Sequence, residues 1–155
     1  MASVGIAVEM GPTAAAVVEV LGGAERLGRP IRNAAELRAA IREGLPTASL
    51  QALAERLALD RDTAAIAFGI TPRTLSRRLS GQERLTPLES DRVARVARLF
   101  SSAIATLGEE SKAAAWLRTP NRALNGETPL GQLDTDPGTS AVEAVLGRIA
   151  LGGYS

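Results

Sequence analysis

The stretch RDTAAIAFGITPRTLSRRL, residues 61–79, decides the fold of this chain because it has the pattern of a helix-turn-helix. Asp60 precedes it as a helix N-cap, and Gly69 supplies a left-handed corner between two helices. Thr71-Pro72 cap and begin the second helix, while the small side chain of Ala65 lets the two helices approach closely. The pattern predicts a unit that can dock one helix on DNA.

The second helix of this unit is expected to carry its polar residues on one face. Leu75 and Leu79 are four residues apart and are predicted to point inward. Arginine can form two parallel hydrogen bonds with guanine, and other arginines neutralise phosphates. A plain helical hairpin with solvated arginines remains the alternative interpretation. On the DNA-binding interpretation, the expected base contacts are Arg73, Thr74 and Arg77, and the expected phosphate contacts are Thr71 and Arg78.

Positive charge is concentrated on the same segment. The whole chain has a net charge of +1, but residues 60–98 hold eight arginines against five acidic residues, a net of +3. Residues 1–59 are balanced, with six charges of each sign. Residues 99–155 hold four basic and six acidic side chains, a net of −2. This distribution favours a polyanion as the partner of the central segment.

A second basic stripe follows on the next predicted helix. Arg92, Arg95 and Arg98 recur at helical spacing. DNA contact, binding of a protein partner and simple solvation are all compatible with this stripe. The sequence leaves the choice among them open. The apolar residues roughly opposite the stripe are Val93, Val96, Phe100 and Ile104.

Composition favours an all-α fold. Hydrophobic residues make up 45% of the chain and aromatic residues 3%, which suits closely packed helices better than a sheet. Helical periodicity and capping signals, including the capping-box spacing of Asn33 and Glu36, predict the main helices. They cover residues 13–21, 33–43, 50–57, 61–68, 72–79, 87–107, 112–117 and 139–150, with short turns at 120–124 and 129–133.

Several enzyme classes are excluded by residues that the chain lacks. It contains no cysteine and no histidine, which removes thiol nucleophiles, disulfides, histidine acid-base catalysis and the usual zinc sites. Asp134 and Asp136 come nearest to an acid-base pair, but they lie in a turn where aspartate is favoured for backbone reasons. The sequence therefore predicts a protein that is not an enzyme and has no metal or cofactor. Without an export signal or a membrane-spanning stretch, we expect it in the cytoplasm.

A series of separate motifs matches one known family in order. They are Arg73-Thr74-Leu75, Arg77-Arg78, Leu85, Glu89-Ser90-Asp91-Arg92-Val93, Arg95-Val96-Ala97-Arg98, Ala115-Trp116-Leu117, Thr119-Pro120-Asn121, Leu124, Gly126, Pro129-Leu130, Gly138, Val142, Leu146, Arg148-Ile149 and Gly152. On these residues the chain resembles the Xre/MbcA/ParS antitoxins, the partners of RES-domain toxins. The resemblance covers about residues 22–153, which is nearly the whole chain.

The resemblance implies an Xre-like helix-turn-helix core and a small helical C-terminal toxin-binding domain. We expect a flexible N-terminus over residues 1–11, a helical support layer with the DNA-binding domain over 12–108, and the toxin-binding domain over 109–155. The implied function is that of a type II antitoxin, a homodimer that represses its own operon and silences an NAD-degrading RES toxin at its active-site cleft. A free-standing dimeric repressor without a toxin partner is the alternative.

The same resemblance implies where the toxin would be contacted. Trp116, the single tryptophan, is the expected anchor, although a tryptophan on an apolar helix is more often part of the core. Asn121, Gly126 and Pro129 also have a second explanation, because such residues commonly set turn geometry. The complete expected toxin-binding set is Trp116, Asn121, Leu124, Gly126, Pro129, Arg148, Gly152, Gly153, Tyr154 and Ser155.

Overall fold

In the computed structural model, residues 12–152 are described, and this part of the chain is all-α. It contains nine α-helices and two 3₁₀ helices. The α-helices are α1 (Ala14–Val20), α2 (Gly23–Leu27), α3 (Ala34–Glu43), α4 (Thr47–Arg56), α5 (Arg61–Phe68), α6 (Pro72–Ser80), α7 (Pro87–Leu107), α8 (Glu110–Arg118) and α9 (Asp136–Ala150). The 3₁₀ helices are η1 (Arg122–Leu124) and η2 (Leu130–Asp134). The predicted all-α class is confirmed, while the prediction for residues 1–11 lies outside the described residues.

Side-chain caps explain why many of these helices begin where they do. Each capping oxygen accepts a hydrogen bond from the backbone N–H three residues later, which would otherwise be unsatisfied in the first turn. The caps and their distances are Thr13 (3.1 Å), Asn33 (2.9 Å), Asp60 (2.7 Å), Thr71 (3.1 Å) and Thr86 (3.1 Å). The predicted starts at Asp60 and Thr71 are therefore confirmed.

A reciprocal capping box forms at α7 rather than at α3. At α7, the Glu89 carboxylate accepts a hydrogen bond from the backbone N–H of Thr86 at 2.9 Å. At α3, Asn33 caps as expected, but the Glu36 carboxylate accepts from the N–H of Arg32 at 2.7 Å instead of from Asn33. Capping-box spacing at Asn33 therefore produced only half of the motif.

The structure differs from the predicted helices mainly at three places. Helix α4 begins at Thr47, three residues before the expected start at Leu50. Helix α2 was not predicted, because Gly22-Gly23 is a helix-stopping signal. In the structure Gly22, at φ 100°, lies between the end of α1 and the start of α2. Helix α9 begins at Asp136, three residues before the expected start. Its earlier start follows from the Thr135 side chain, which accepts the N–H of Gly138 at 3.0 Å.

One face of α7 forms the centre of the hydrophobic core. Val93, Val96 and Phe100 are at most 1% exposed, as the predicted apolar stripe requires, and Ile104 packs beside them half-buried. Helices α1, α3, α5, α8 and α9 and the 3₁₀ helix η2 all contact α7. The core therefore continues from the N-terminal helices into the C-terminal ones. Among residues 12–152, no helix is both long and apolar enough to cross a membrane.

A short backbone pairing connects the loop before α4 with the loop before α7. Pro46 and Arg84 form an isolated antiparallel bridge, and the N–H of Leu85 donates to the carbonyl of Leu45 at 2.8 Å. The buried hydroxyl of Ser90 accepts the N–H of Leu45 at 2.8 Å. These bonds satisfy buried backbone groups outside the helices and hold the start of α7 against α4.

We expect the close approach at Gly138 to make this glycine necessary for stability. A Cβ added there would lie 2.0 Å from the Gln132 carbonyl oxygen, a backbone atom that cannot easily move. Gly138→Ala should lower the free energy of unfolding by about 1–3 kcal/mol through overpacking. The matched control is Gly147→Ala in the same helix, where an added Cβ has no neighbour within 4 Å among the described residues. Urea unfolding should find Gly147→Ala neutral or more stable by up to about 1 kcal/mol; an equal loss in both variants would contradict the prediction.

Candidate functional site

Helices α5 and α6 form the predicted helix-turn-helix. Gly69 has a φ of 72°, and the N–H of Ile70 donates to the Ala65 carbonyl at 2.9 Å, which closes the corner. Ala65 is fully buried, and Leu75 is 2% exposed between the helices. A Cβ on Gly69 would also lie 2.7 Å from Nη1 of Arg92. The corner therefore needs glycine for its left-handed backbone, whereas the end of the flexible Arg92 side chain can move away from an added Cβ.

We call α6 the recognition helix. Two of the predicted residues, Thr71 and Thr74, are hydrogen-bonded to each other at its first turn. The Thr71 hydroxyl donates to Oγ1 of Thr74 at 2.9 Å and accepts the Thr74 N–H at 3.1 Å. Thr71 is exposed and Thr74 is half-buried. Arg73 is exposed and forms no ion pair with any residue between 12 and 152. Thr71, Arg73 and Thr74 all lie at the N-terminal end of the recognition helix.

Arg77 lies one turn further along the recognition helix in a solvated ion pair. Its Nη1 is 3.3 Å from Oε1 of Glu83, and the two side chains are 61% and 44% exposed. Pairs this exposed contribute at most about 1 kcal/mol, so the guanidinium can exchange Glu83 for another anion at little cost. Arg61 adds a further positive charge nearby, because its Nη1 is 3.3 Å from the hydroxyl of Ser76.

Arg78 occupies a different environment from Arg73 and Arg77. Its guanidinium donates to the Glu89 carboxylate at the start of α7, and the two side chains are only 15% and 21% exposed. Burial by itself raises the pKa of the Glu89 carboxyl. The hydrogen bond from the Thr86 N–H and the bond and charge of Arg78 outweigh burial, so the net effect is a pKa below the ordinary value.

Two arginines of the second basic stripe pair with residues of the C-terminal part of the molecule. Arg95 donates to the Leu133 carbonyl at 3.0 Å and to Asp91 at 3.1 Å, and it lies 3.7 Å from Asp136. Arg98 is 2.5 Å from Glu143 of α9. Arg95 and Arg98 therefore join α7 to the C-terminal helices. The sequence suggested DNA contact, binding of a protein partner or solvation for this stripe, and it did not suggest this internal role. Apart from Asp91, which is four residues before Arg95, these hydrogen-bond partners lie 38 to 45 residues away in the chain, and no local pattern could have indicated them.

The C-terminal lobe, residues 109–152, has its own part of the core. Leu117, Leu133 and Val142 are at most 1% exposed, and Leu124 is 4% exposed. Trp116 is half-buried and packs against this core while part of it remains accessible. The structure thus places the predicted residue Leu124 inside the lobe and Trp116 at its edge.

Asn121 and Gly126 belong to a closed turn between α8 and η2. The Asn121 side chain accepts the N–H of Ala123 at 2.9 Å, and its backbone carbonyl accepts the N–H of Gly126 at 2.9 Å. Gly126 has a φ of 83°, and the Asn121 N–H donates to the Glu127 carbonyl at 3.0 Å. Pro129 is buried directly after this turn. The hydrogen bonds of Asn121 and the positive φ of Gly126 therefore agree with the explanation that these residues set the geometry of the turn, and Pro129 follows the turn directly.

The remaining predicted residues lie at the end of α9. Arg148 and Gly152 are exposed, and Leu151 between them in the chain is 89% exposed. This large apolar side chain was not among the predicted residues, although its place after a helical apolar stripe could have drawn attention to it. Gly153, Tyr154 and Ser155 lie outside the described residues.

Comparisons with known protein families match the two halves of the chain separately. Residues 36–98 match the family described as the antitoxin Xre-like helix-turn-helix domain. Residues 102–152 match the antitoxin Xre/MbcA/ParS C-terminal toxin-binding domain. The two matches adjoin inside α7, whereas the sequence suggested a division at Gly108 after it.

Two relatives give the same result, and a solved structure has a similar fold. The chain is 34% identical to the antitoxin Xre of Photorhabdus laumondii over 127 residues, which are 81% of this chain and 86% of the relative. It is 38% identical to the antitoxin Xre of Pseudomonas putida over 120 residues, or 76% and 72% of the two chains. Its fold matches a chain of the M. tuberculosis MbcT–MbcA toxin–antitoxin complex with a TM-score of 0.53 and 24% identity, covering 70% of this chain and 96% of that one.

The lowered pKa of Glu89 predicts that its contribution to stability depends on pH. A carboxyl whose pKa is lower in the folded state stabilises the fold above its unfolded pKa, near 4.5, and loses this effect as pH falls through the folded value. At pH 7, Glu89→Gln should therefore lower the free energy of unfolding by about 1–3 kcal/mol. The difference from the parent protein should shrink toward pH 3 in urea unfolding. A difference that is the same at both pH values would contradict this prediction.

Proposed function

This chain belongs to the Xre/MbcA/ParS antitoxin family, and on that basis we propose that it binds and silences a RES-domain toxin that degrades NAD. In this proposal the C-terminal lobe covers the toxin's active-site cleft. The observation that carries it is the match of residues 102–152 to a toxin-binding domain, together with the exposed end of α9. NAD is then the toxin's substrate and has no site on this chain.

Burial divides the expected toxin-binding residues into two groups. Leu124 and Pro129 are buried, and Asn121 supports the turn, so these residues shape the lobe from within. Trp116 offers its accessible part as an aromatic anchor at the edge of the lobe. The exposed residues Gly126, Arg148 and Gly152 make the contacts. We assign the terminal Gly153, Tyr154 and Ser155 to the same surface from the family resemblance, since they lie outside the described residues.

The second part of the proposal is that the protein represses its own operon through the helix-turn-helix. Arg73 and Arg77 are exposed on the recognition helix, and Thr71 and Thr74 lie at its N-terminal end, the end that reaches base edges in this class of motif. Such proteins bind as dimers, because two recognition helices one turn of DNA apart match a palindromic site. We therefore propose a homodimer on a palindromic operator.

We also propose that the chain acts by binding alone. Asp136, one of the two carboxylates considered above as an acid-base pair, is 3.7 Å from Arg95 and occupies the first turn of α9. Its position is explained by the start of that helix, where negative charge is favourable. The contribution of Asp136 to folding therefore explains why an aspartate is found at this position, and no catalytic role is needed.

Toxin binding can be tested by co-expression with the product of the adjacent gene. We expect a stable complex on co-purification, and we expect Arg148→Glu to weaken it at least tenfold because the reversed charge lies at the contact surface. Arg38→Glu is the matched control, the same charge reversal at an exposed position of α3, outside the C-terminal lobe. Affinities measured by calorimetry should separate the two variants. If the chain associates with no RES-domain protein, the result would instead favour the free-standing repressor.

DNA binding can be tested on the region upstream of the gene. Arg77→Ala should weaken binding about tenfold and leave toxin binding unchanged, since one good arginine–guanine pair contributes roughly 1–3 kcal/mol. Glu83→Gln should bind as tightly as the parent protein or more tightly, because it removes the carboxylate that competes for Arg77. Fluorescence anisotropy across a salt series provides the measurement. Equal affinities of Arg77→Ala and the parent protein at every salt concentration would remove Arg77 from the interface.

A further inference from the structure

The recognition helix has few apolar anchors of its own. Leu75 is its only residue that is fully buried, and Leu79 packs against the core half-buried. Of its nine residues, only these two leucines provide apolar contacts, so other contacts must help to determine the orientation of the helix. Its other side-chain links among the described residues are the exposed Arg61–Ser76 and Arg77–Glu83 contacts and the Arg78–Glu89 pair. Only the last of these links is substantially shielded from water.

Glu89 is itself held in place by the backbone of α7. Its carboxylate accepts the Thr86 N–H at 2.9 Å, and its own N–H donates to the Thr86 hydroxyl at 3.1 Å. A partner in this position has little freedom to follow a moving arginine. The carbonyl of Arg78 also accepts the N–H of Glu83 at 2.9 Å, which fixes the backbone at the end of the recognition helix. Arg78 is therefore constrained through both its side chain and its backbone.

Arg78 offers little accessible surface to a phosphate, because its side chain is only 15% exposed. A contact through Nη1 would also require the guanidinium to leave Glu89, and a poorly solvated carboxylate would then remain unpaired close to the DNA backbone. Leaving one member of a shielded ion pair without its partner is strongly unfavourable. Arg77 faces no such obstacle, because its own ion pair is largely solvated.

We propose that Arg78 is a positioning residue, which holds the recognition helix against the start of α7 and does not contact phosphate. The proposal rests on the proposed DNA-binding function and changes the role expected for Arg78 from the sequence. The Arg78–Glu89 pair sets the orientation in which Arg73, Thr74 and Arg77 are presented. Thr86 and Glu89 therefore serve the recognition helix as well as the start of α7.

Charge reversal distinguishes positioning from phosphate contact. Arg78→Glu and Glu89→Arg should each weaken operator binding about tenfold, within the range of coupling between contacting residues. The double variant Arg78→Glu/Glu89→Arg should bind more tightly than either single variant, because the pair can form in reverse. It should remain weaker than the parent protein, since arginine at position 89 cannot accept the Thr86 N–H. Operator affinity should be measured by anisotropy well below each variant's melting temperature.

A phosphate contact gives the opposite results. Glu89→Arg would then bind DNA as tightly as the parent protein or more tightly, because it adds positive charge near the backbone. The double variant would then bind less tightly than Glu89→Arg, because it lacks the Arg78 contact, and its salt dependence, d log K/d log[salt], would be smaller by about 0.9 for each lost contact. Any of these results would overturn the positioning role. Arg73→Glu is the control, because Glu89→Arg should not rescue a charge reversal at this exposed position.

A second measurement does not depend on DNA. Arg78→Met should increase hydrogen exchange of the recognition-helix amides relative to those of α9, because the shielded link to α7 is lost. Unchanged exchange in the recognition helix would overturn the proposal. If the parent protein binds no upstream DNA, the proposed repressor function fails, and the exchange result still decides whether Arg78 holds the helix.

Discussion

Burial of one face of α7 is the constraint on which the rest of the structure depends. Val93, Leu99 and Phe100 are fully buried on this 21-residue helix, and helices from both ends of the chain pack around it. Removing this much apolar surface from water is the main favourable contribution to folding. Because the helix-turn-helix and the C-terminal lobe both contact α7, each is oriented relative to the same rigid element.

The polar contacts of α7 are ordered along its length. Its first turn holds Glu89, which pairs with the recognition helix, and its middle holds Arg95 and Arg98, which pair with η2 and α9. The same helix thus supports the surface proposed for DNA and the surface proposed for the toxin. The two surfaces are formed by different elements, since the exposed arginines lie on α6 and the exposed lobe residues lie at the end of α9.

The positive charge of residues 60–98 is only partly available to a partner. Arg78, Arg95 and Arg98 are paired with carboxylates, and Arg84 donates to the Gly44 carbonyl at 2.7 Å. An excess of arginine in a sequence therefore overstates the basic surface that the folded protein presents. Membership in the antitoxin family adds what charge alone could not indicate, namely that the lobe after α7 is a toxin-binding domain.

The sequence by itself determined the helix-turn-helix, the all-α class and most helix boundaries, because caps, glycine corners and apolar periodicity act between residues three or four apart. Asp60, Gly69 and Thr71 have the local roles that their residue types indicate. Only the tertiary structure decided which arginines are free to bind. Arg78, Arg95 and Arg98 find carboxylates or carbonyls 11 to 45 residues away, and pairing over such separations depends on how the helices pack. The same packing buried Leu124, which has mostly polar neighbours in the sequence, and left Leu151 exposed after an apolar stripe.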